Sequence, residues 1–254
     1  MDIKELRAKE IIIDIRKNLP SNKNTVESVT LGIFLAIVGG FLDAYTFICR
    51  GGVFANAETG NMVLVALGIT NRNYNDVFMA ALPILSFIIG VFVAEAIKKK
   101  ATENYLESSK GEKVILIVEA MVLFIVGFVP KDVPHIFVTV TISFVSSVQI
   151  SSFRKLVDSP YSTTMCTGNL RIACQSAYLA IVEKNKDAYI KSIRYSIIIF
   201  SFLIGASLGG ILTVVIGVKS IWACSLILII AKILFNIREN QVKEKSSTVD
   251  LINN

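Results

Sequence analysis

Residues 50–70 read RGGVFANAETGNMVLVALGIT: a glycine turn, a short polar stretch, then an apolar run too brief to cross a bilayer. A hydrocarbon core of ~30 Å needs about 20 helical residues, and the run at 59–69 has roughly half that length. Full-length apolar runs flank it at 29–49 and 77–97. The pattern then returns. Thr59-Gly60-Asn61 recurs 108 positions later as Thr167-Gly168-Asn169, again after a full-length run (133–153) and again opening an irregular stretch (164–181) interrupted by Arg171 and Gln175. The other full-length runs are 113–129, 195–217 and 221–237.

This order predicts an all-α integral membrane protein. It has six transmembrane helices plus two short re-entrant or half-helices, arranged as span, half-helix, span, span, twice over. An odd number of crossings per unit makes the two copies inverted repeats, a recurring transporter design in which solute binds where the repeats meet. The expected divisions are an amphipathic cytoplasmic arm at 1–27, one transmembrane domain at 28–237 (repeats 28–130 and 131–237), and a polar, frayed cytoplasmic tail at 238–254.

Composition agrees. Hydrophobic residues make up 53% of the 254 and charged residues only 18%, below the ~25% of a soluble domain, with a mean hydropathy of +0.62. A soluble chain of this size would lack the polar surface to cover so many all-apolar helices. The net charge of +6 lies between the apolar runs, as beside an anionic cytoplasmic leaflet, and no nucleic-acid motif accompanies it. Cys49, Cys166, Cys174 and Cys224 lie in or beside apolar runs without Cys-x-x-Cys spacing, and the single histidine, His135, cannot build a zinc site alone. Neither metal nor cofactor is expected. Nucleotide loops, paired hydrolytic carboxylates and nucleophile elbows are missing from the sequence, so an enzyme is not expected. Residues 1–23 are too charged for a cleavable signal.

Orientation follows from the lysines. If the 59–69 run crossed fully, the loop holding Lys98, Lys99, Lys100, Lys110 and Lys113 would face outward, against the positive-inside rule. If both short stretches re-enter, every basic segment and both termini lie inside. The weakly charged 50–76, 131–132 and Lys219 segments then lie outside.

Irregular backbone survives at membrane depth only where protein buries it or it lines a wet cavity, so function is sought at the two short helices. Glycines suit tight re-entry. Thr59 or Asn61 suits capping of the first short helix, with Glu58 beside it, and Thr163, Thr164, Thr167, Gly168 and Asn169 repeat the logic. Asp43, deep in the first span, must face protein or water, and a carboxyl group there suits proton carriage; a plain interhelical hydrogen bond to Thr or Tyr would also hold it. Gln149, near the repeat position of Asp43, sits among Ser146, Ser147, Ser151 and Ser152, a stripe that suits either a polar path or close packing. Glu119 lies inside the third span. Arg171 suits an anion, an ion pair with Asp43 or Glu119, or snorkelling. Gly205, Gly209 and Gly210 form a Gly-x-x-x-Gly face for close helix packing, within the chain or in a homo-oligomer.

These residues also carry a resemblance. Gly40-Phe41-Leu42-Asp43-Ala44, Gly52-x-Phe54 and Thr59-Gly60-Asn61 together resemble the signature of the YoaK family of bacterial membrane proteins, and Gln149 with Thr163-Thr164-x-x-Thr167-Gly168 is similar to its second-half pattern. The resemblance runs over about 29–237. It departs at Ile150, where the family often has Asn, and at Met165, where it often has His, so no role of those side chains carries over. It implies an inner-membrane location and six spans; it supplies no substrate.

The expected function is a secondary transporter or channel for a small polar solute, with Asp43 as the proton or cation group. A non-transporting scaffold, whose polar residues only join helices, is the alternative. An intramembrane enzyme ranks behind both. Helix dipole ends favour an anion and Asp43 favours a cation or proton, and the sequence leaves that opposition standing. Reporter fusions within the Lys98–Lys113 loop should read cytoplasmic; an external reading would overturn the re-entrant topology.

Overall fold

The computed structural model describes residues 29–103, 108–153, 155–156, 159–160 and 166–252. The arm expected at 1–27, and Thr163 and Thr164, lie outside the described residues. The chain forms α1 (Val29–Cys49), α2 (Glu58–Thr70), α3 (Tyr74–Glu103), α4 (Ser108–Val126), α5 (His135–Ser152), a two-residue antiparallel pair (Lys155–Leu156 with Ser159–Pro160), α6 (Cys166–Val182), α7 (Lys186–Ile216), a 3-10 turn (Gly217–Ile221) and α8 (Trp222–Ile252).

Four helical stretches are long and apolar enough to cross a membrane: Val29–Cys49, Tyr74–Lys100, His135–Ser152 and Lys186–Ile237. The last, 52 residues long, holds α7 and the apolar part of α8 on either side of the 3-10 turn. The run expected at 113–129 falls outside this group, because α4 begins at Ser108 and carries Lys110, Glu112, Lys113 and Glu119 in its 19 residues. Large apolar side chains cover the outside: Phe92 is 74% exposed, Val214 75% and Ile181 77%. Water would penalise such a surface, whereas hydrocarbon does not.

Helix ends depart from expectation for local reasons. α7 starts nine residues before the apolar run, because the Asn185 side chain accepts the Asp187 and Ala188 N–H groups, each at 3.0 Å, a strong start signal. α8 continues to Ile252, so the expected frayed tail is helical over 238–252; neither Gly nor Pro interrupts the chain after Trp222. Gly217, at φ 65°, ends α7.

The helices pack in matching pairs. α1 lies along α7, and α3 lies along α5; α2 rests on α3, and α6 on α7; α4 touches α5, and α8 touches α1; α4 and α8 pack on each other. Glycines permit the two main crossings. A Cβ at Gly40 would overlap the Phe202 carbonyl, one at Gly205 the Ile37 carbonyl, and one at Gly209 would come within 2.7 Å of the Phe41 carbonyl oxygen. The Gly-x-x-x-Gly face of α7 therefore seats α1 of its own chain. At the other crossing, a Cβ at Gly90 would meet Ser147 and the Phe144 carbonyl, while Ser86 donates to the Val140 carbonyl at 2.7 Å.

Polar contacts gather at the two ends of the bundle. At one end Arg50, entirely buried, donates to the Pro130 and Val129 carbonyls at 3.0 and 2.6 Å and to the Tyr45 hydroxyl at 3.0 Å. At the other end Lys98 donates to the Ser151 carbonyl, and Lys113 pairs with Glu239. The four cysteines are free thiols.

Gly40→Ala and Gly205→Ala should each lower stability in detergent by about 1–3 kcal/mol, since their Cβ atoms meet backbone that cannot yield. Gly210→Ala, whose Cβ would sit 3.8 Å from Ile48 Cδ1, should be neutral within error. Denaturant titration of purified variants checks both.

Candidate functional site at the half-helix termini

After α1 ends, Gly51 and Gly52 adopt φ of 95° and 73°, a left-handed turn open to glycine at no steric cost. The chain then runs back alongside α1 as an irregular segment, 53–57, bent at Ala55 and Asn56, before α2 begins. Its backbone polar groups need partners at a depth where water is scarce. Two side chains supply them. Asn61 is fully buried; its Oδ1 accepts the Phe54 N–H at 2.9 Å, and its Nδ2 donates to the Phe54 carbonyl and to Glu58 Oε2, the latter at 2.8 Å. An amide is the side chain that offers both a donor and an acceptor in one plane, so Asn61 stands in for the missing strand partner. Asp43 completes the turn: its Oδ1 accepts the N–H groups of Asn56 and Ala57 at 3.0 and 3.1 Å.

The segment leading into α2 is therefore held from another helix, and the Gly60 N–H of the first turn bonds the Ala57 carbonyl. The expected local caps do not form. Ala57 holds the N-cap position without a side-chain bond, Thr59 is exposed, and Asn61 bonds upstream. Asp43 likewise reaches neither Thr nor Tyr as an interhelical partner. Gly60 has a packing reason, since a Cβ there would press into the Phe54 ring, which stacks on Phe47 at 5.1 Å.

The second short helix arrives at the same place. Cys166, the first residue of α6, lies within electrostatic reach of Asp43. Asn169, the counterpart of Asn61, is buried, while Thr167 and Gly168 are exposed. A Cβ added at Gly168 would meet nothing within 4 Å beyond its own helix among the described residues. Both α2 and α6 thus begin within electrostatic reach of the Asp43 carboxyl group. Asp43 Oδ2 is buried and without a hydrogen bond, as is Asn56 Oδ1.

Glu58 joins the site from the first turn of α2. It lies within electrostatic reach of Asp43, and its Oε1 is 2.7 Å from Ser143 Oγ on α5. Ser143 also donates to the Pro83 carbonyl of α3 at 2.8 Å. Four helices therefore meet through Asp43, Glu58, Ser143 and the Pro83 carbonyl. Sequence reading singled out Asp43, Glu58 and Asn61 and missed Ser143, Pro83 and Arg50. The signal for Arg50 was available: a charge directly ending an apolar span, with Tyr45 five residues before it.

The other expected residues divide. Glu119 and Gln149 are buried and face each other between α4 and α5, with Cys224 of α8 beside Glu119. Neither carboxyl oxygen of Glu119, nor Gln149 Nε2, makes a well-formed hydrogen bond. Arg171 is exposed and forms no ion pair with Asp43 or Glu119, so that expected pairing is corrected. It sits on an outer face of α6, one turn beyond the terminus.

Replacing Asp43 separates cap from charge. Asp43→Asn retains an oxygen for the two amides and should fold with little loss. Asp43→Ala leaves two buried N–H groups open, each costing about 1–3 kcal/mol, and should melt well below wild type in the same detergent.

Comparison with known proteins fits this geometry. The family described as "Protein of unknown function (DUF1275)" matches residues 31–234, from α1 into α8 and across both short helices. The UPF0700 transmembrane protein YoaK of Bacillus subtilis (strain 168) is 29% identical over 182 residues, covering 70% of this chain and 80% of that protein. No solved structure matches. With the match running from α1 into α8, the chain belongs to the DUF1275 family, whose YoaK member is a transmembrane protein.

Proposed function

We propose that this protein is a six-span secondary transporter or channel for a small polar solute in the bacterial inner membrane, built as two inverted repeats with both termini cytoplasmic. The observation that carries the reading is Asp43. It is a buried carboxylate with one oxygen capping two backbone amides and the other free, at the point where two short helices begin.

Several features support the repeats. Each half contributes four helices, of 21, 13, 30 and 19 residues in the first and 18, 17, 31 and 31 in the second, and α2 and α6 start 108 residues apart. Every helix pairing named above has its counterpart under exchange of the halves, and α4 with α8 is its own counterpart. The basic side chains Lys98 and Lys113 lie at one end of the bundle, opposite Arg50, as a cytoplasmic placement of the lysines requires.

The chemistry follows from these placements. The free N–H groups and dipole of a helix N-terminus attract negative charge. Here the protein's own carboxylate occupies that position, so an anionic solute has no vacancy to fill. Asp43 Oδ2 remains as an acceptor for a hydrogen-bond donor on a neutral or cationic solute. Glu58, close by, makes the pair a site at which one proton is held or given up, which is the means of coupling.

Thiol labelling tests the reading. Single-cysteine proteins carrying Ala57→Cys or native Cys166 alone are exposed to membrane-impermeant reagents in right-side-out and inside-out vesicles. Position 57 should react only from outside and Cys166 only from inside. Silence at both positions from both sides would overturn the transport reading and favour a packed scaffold.

A further inference from the structure

The hydrogen bonds around Glu58 can be counted. Asn61 Nδ2 has two protons; one goes to the Phe54 carbonyl and the other to Glu58 Oε2. Ser143 has one hydroxyl proton and two close oxygens, Pro83 O at 2.8 Å and Glu58 Oε1 at 2.7 Å. Both separations are those of full O–H···O bonds, and a carbonyl cannot donate. With the Ser143 proton on Pro83 O, the bond between Glu58 and Ser143 takes its proton from Glu58. The groups facing Glu58 are consistent with this. Asp43 comes from α1, Ser143 from α5, the Pro83 carbonyl from α3 and Asn61 from its own helix; Cys166 of α6 stands beyond Asp43. None of these side chains is basic.

The geometry points to Glu58 as the exchangeable proton site of this protein, linked through the Ser143 hydroxyl to the backbone of α3 at Pro83, while Asp43 Oδ1 holds the Asn56 and Ala57 amides. The assignment deepens the reading of Asp43 and Glu58 as one site. In the protonated form the relay runs from the Glu58 carboxyl O–H to Ser143 Oγ, and from the Ser143 O–H to Pro83 O. When Glu58 loses its proton to water, no bond other than its own O–H breaks. The carboxylate then draws the Ser143 proton, since a charged acceptor makes the stronger hydrogen bond, and Pro83 O loses its side-chain donor. Pro83 is the point in α3 where a backbone N–H is already missing, so this is where the helix is least braced against bending. One proton thereby connects the start of α2 with the bend of α3 through a serine on α5.

Infrared spectroscopy of the purified protein in lipid reads the proton directly. The wild-type minus Glu58→Gln difference at neutral pH should contain the C=O stretch of a hydrogen-bonded carboxylic acid. Glu58→Gln is a mild change, because its amide can donate to Ser143 and accept from Asn61. In Ser143→Ala the same band should move to higher frequency, since its donated bond is lost. A difference spectrum holding only carboxylate bands would overturn the assignment. So would an acid band that persists in Glu58→Gln and disappears in Asp43→Asn, or one that Ser143→Ala leaves in place. None of these measurements requires solute movement. Failure of the thiol-labelling pattern would sink the transport reading while leaving the proton assignment intact, and the reverse outcome is equally distinguishable.

Discussion

A carboxylate accepting two backbone N–H groups at membrane depth is the constraint from which the rest of the bundle follows. A helix that begins inside a bilayer leaves its first amides without partners, and lipid offers none. Asp43, on a neighbouring helix, accepts the N–H groups of Asn56 and Ala57, the two residues that lead into α2, thirteen and fourteen positions further along the chain. For its carboxyl to reach residues 56 and 57, the chain must fold back along α1 immediately after Cys49. The glycine turn at 51–52 and the Asn61 bridge to Phe54 make that return possible. The Arg50 guanidinium then ties the turn to the carbonyls at the end of the α4 segment.

Two tight crossings hold this arrangement in place. Where α1 meets α7, Gly40, Gly205 and Gly209 let backbones touch, and where α3 meets α5, Gly90 and Ser86 do the same. Lipid gives no hydrophobic drive for helices to associate, so close van der Waals approach and interhelical hydrogen bonds must supply the cohesion. The α1–α7 crossing fixes the height of Asp43. The α3–α5 crossing fixes the height of Ser143 and Pro83. The relative position of Asp43 and Glu58 is thus set by packing between the halves of the chain.

Much of this was legible in the sequence, because hydropathy runs report directly on helices that need no water. The half-length of the 59–69 run and the recurrence of Thr-Gly-Asn marked both short helices, and Asp43 was conspicuous as an acid in an apolar span. What remained hidden were relations between segments distant in sequence. Capping rules look one to three residues from a helix start, so Thr59 and Asn61 were the expected caps and Asp43 was not. The Gly-x-x-x-Gly motif predicts a close neighbour without saying whether it belongs to the same chain. Ser143 looked like one small residue among several in α5, and its pairing with Glu58, 85 residues away, is visible only once α2 and α5 are in place. The helical extension of α8 was hidden for a different reason: polarity ends a membrane run but does not end a helix.

The charge balance of the site shows why one half of the chain carries the acids. Position for position, the second short helix begins with Cys166 where the first has Glu58, and α5 offers Gln149 and Ser151 where α1 has Asp43. Each helix N-terminus presents roughly half an elementary positive charge, so two of them together call for about one negative charge. One ionised carboxyl group in the Asp43–Glu58 pair meets that requirement. A second ionised acid at the same place would leave the site with about one uncompensated negative charge in a low-dielectric interior, a costly state. Equal acids in both halves would worsen it. The dipole ends and a single carboxylate are therefore complementary parts of one near-neutral site, and this balance favours one proton held within the Asp43–Glu58 pair.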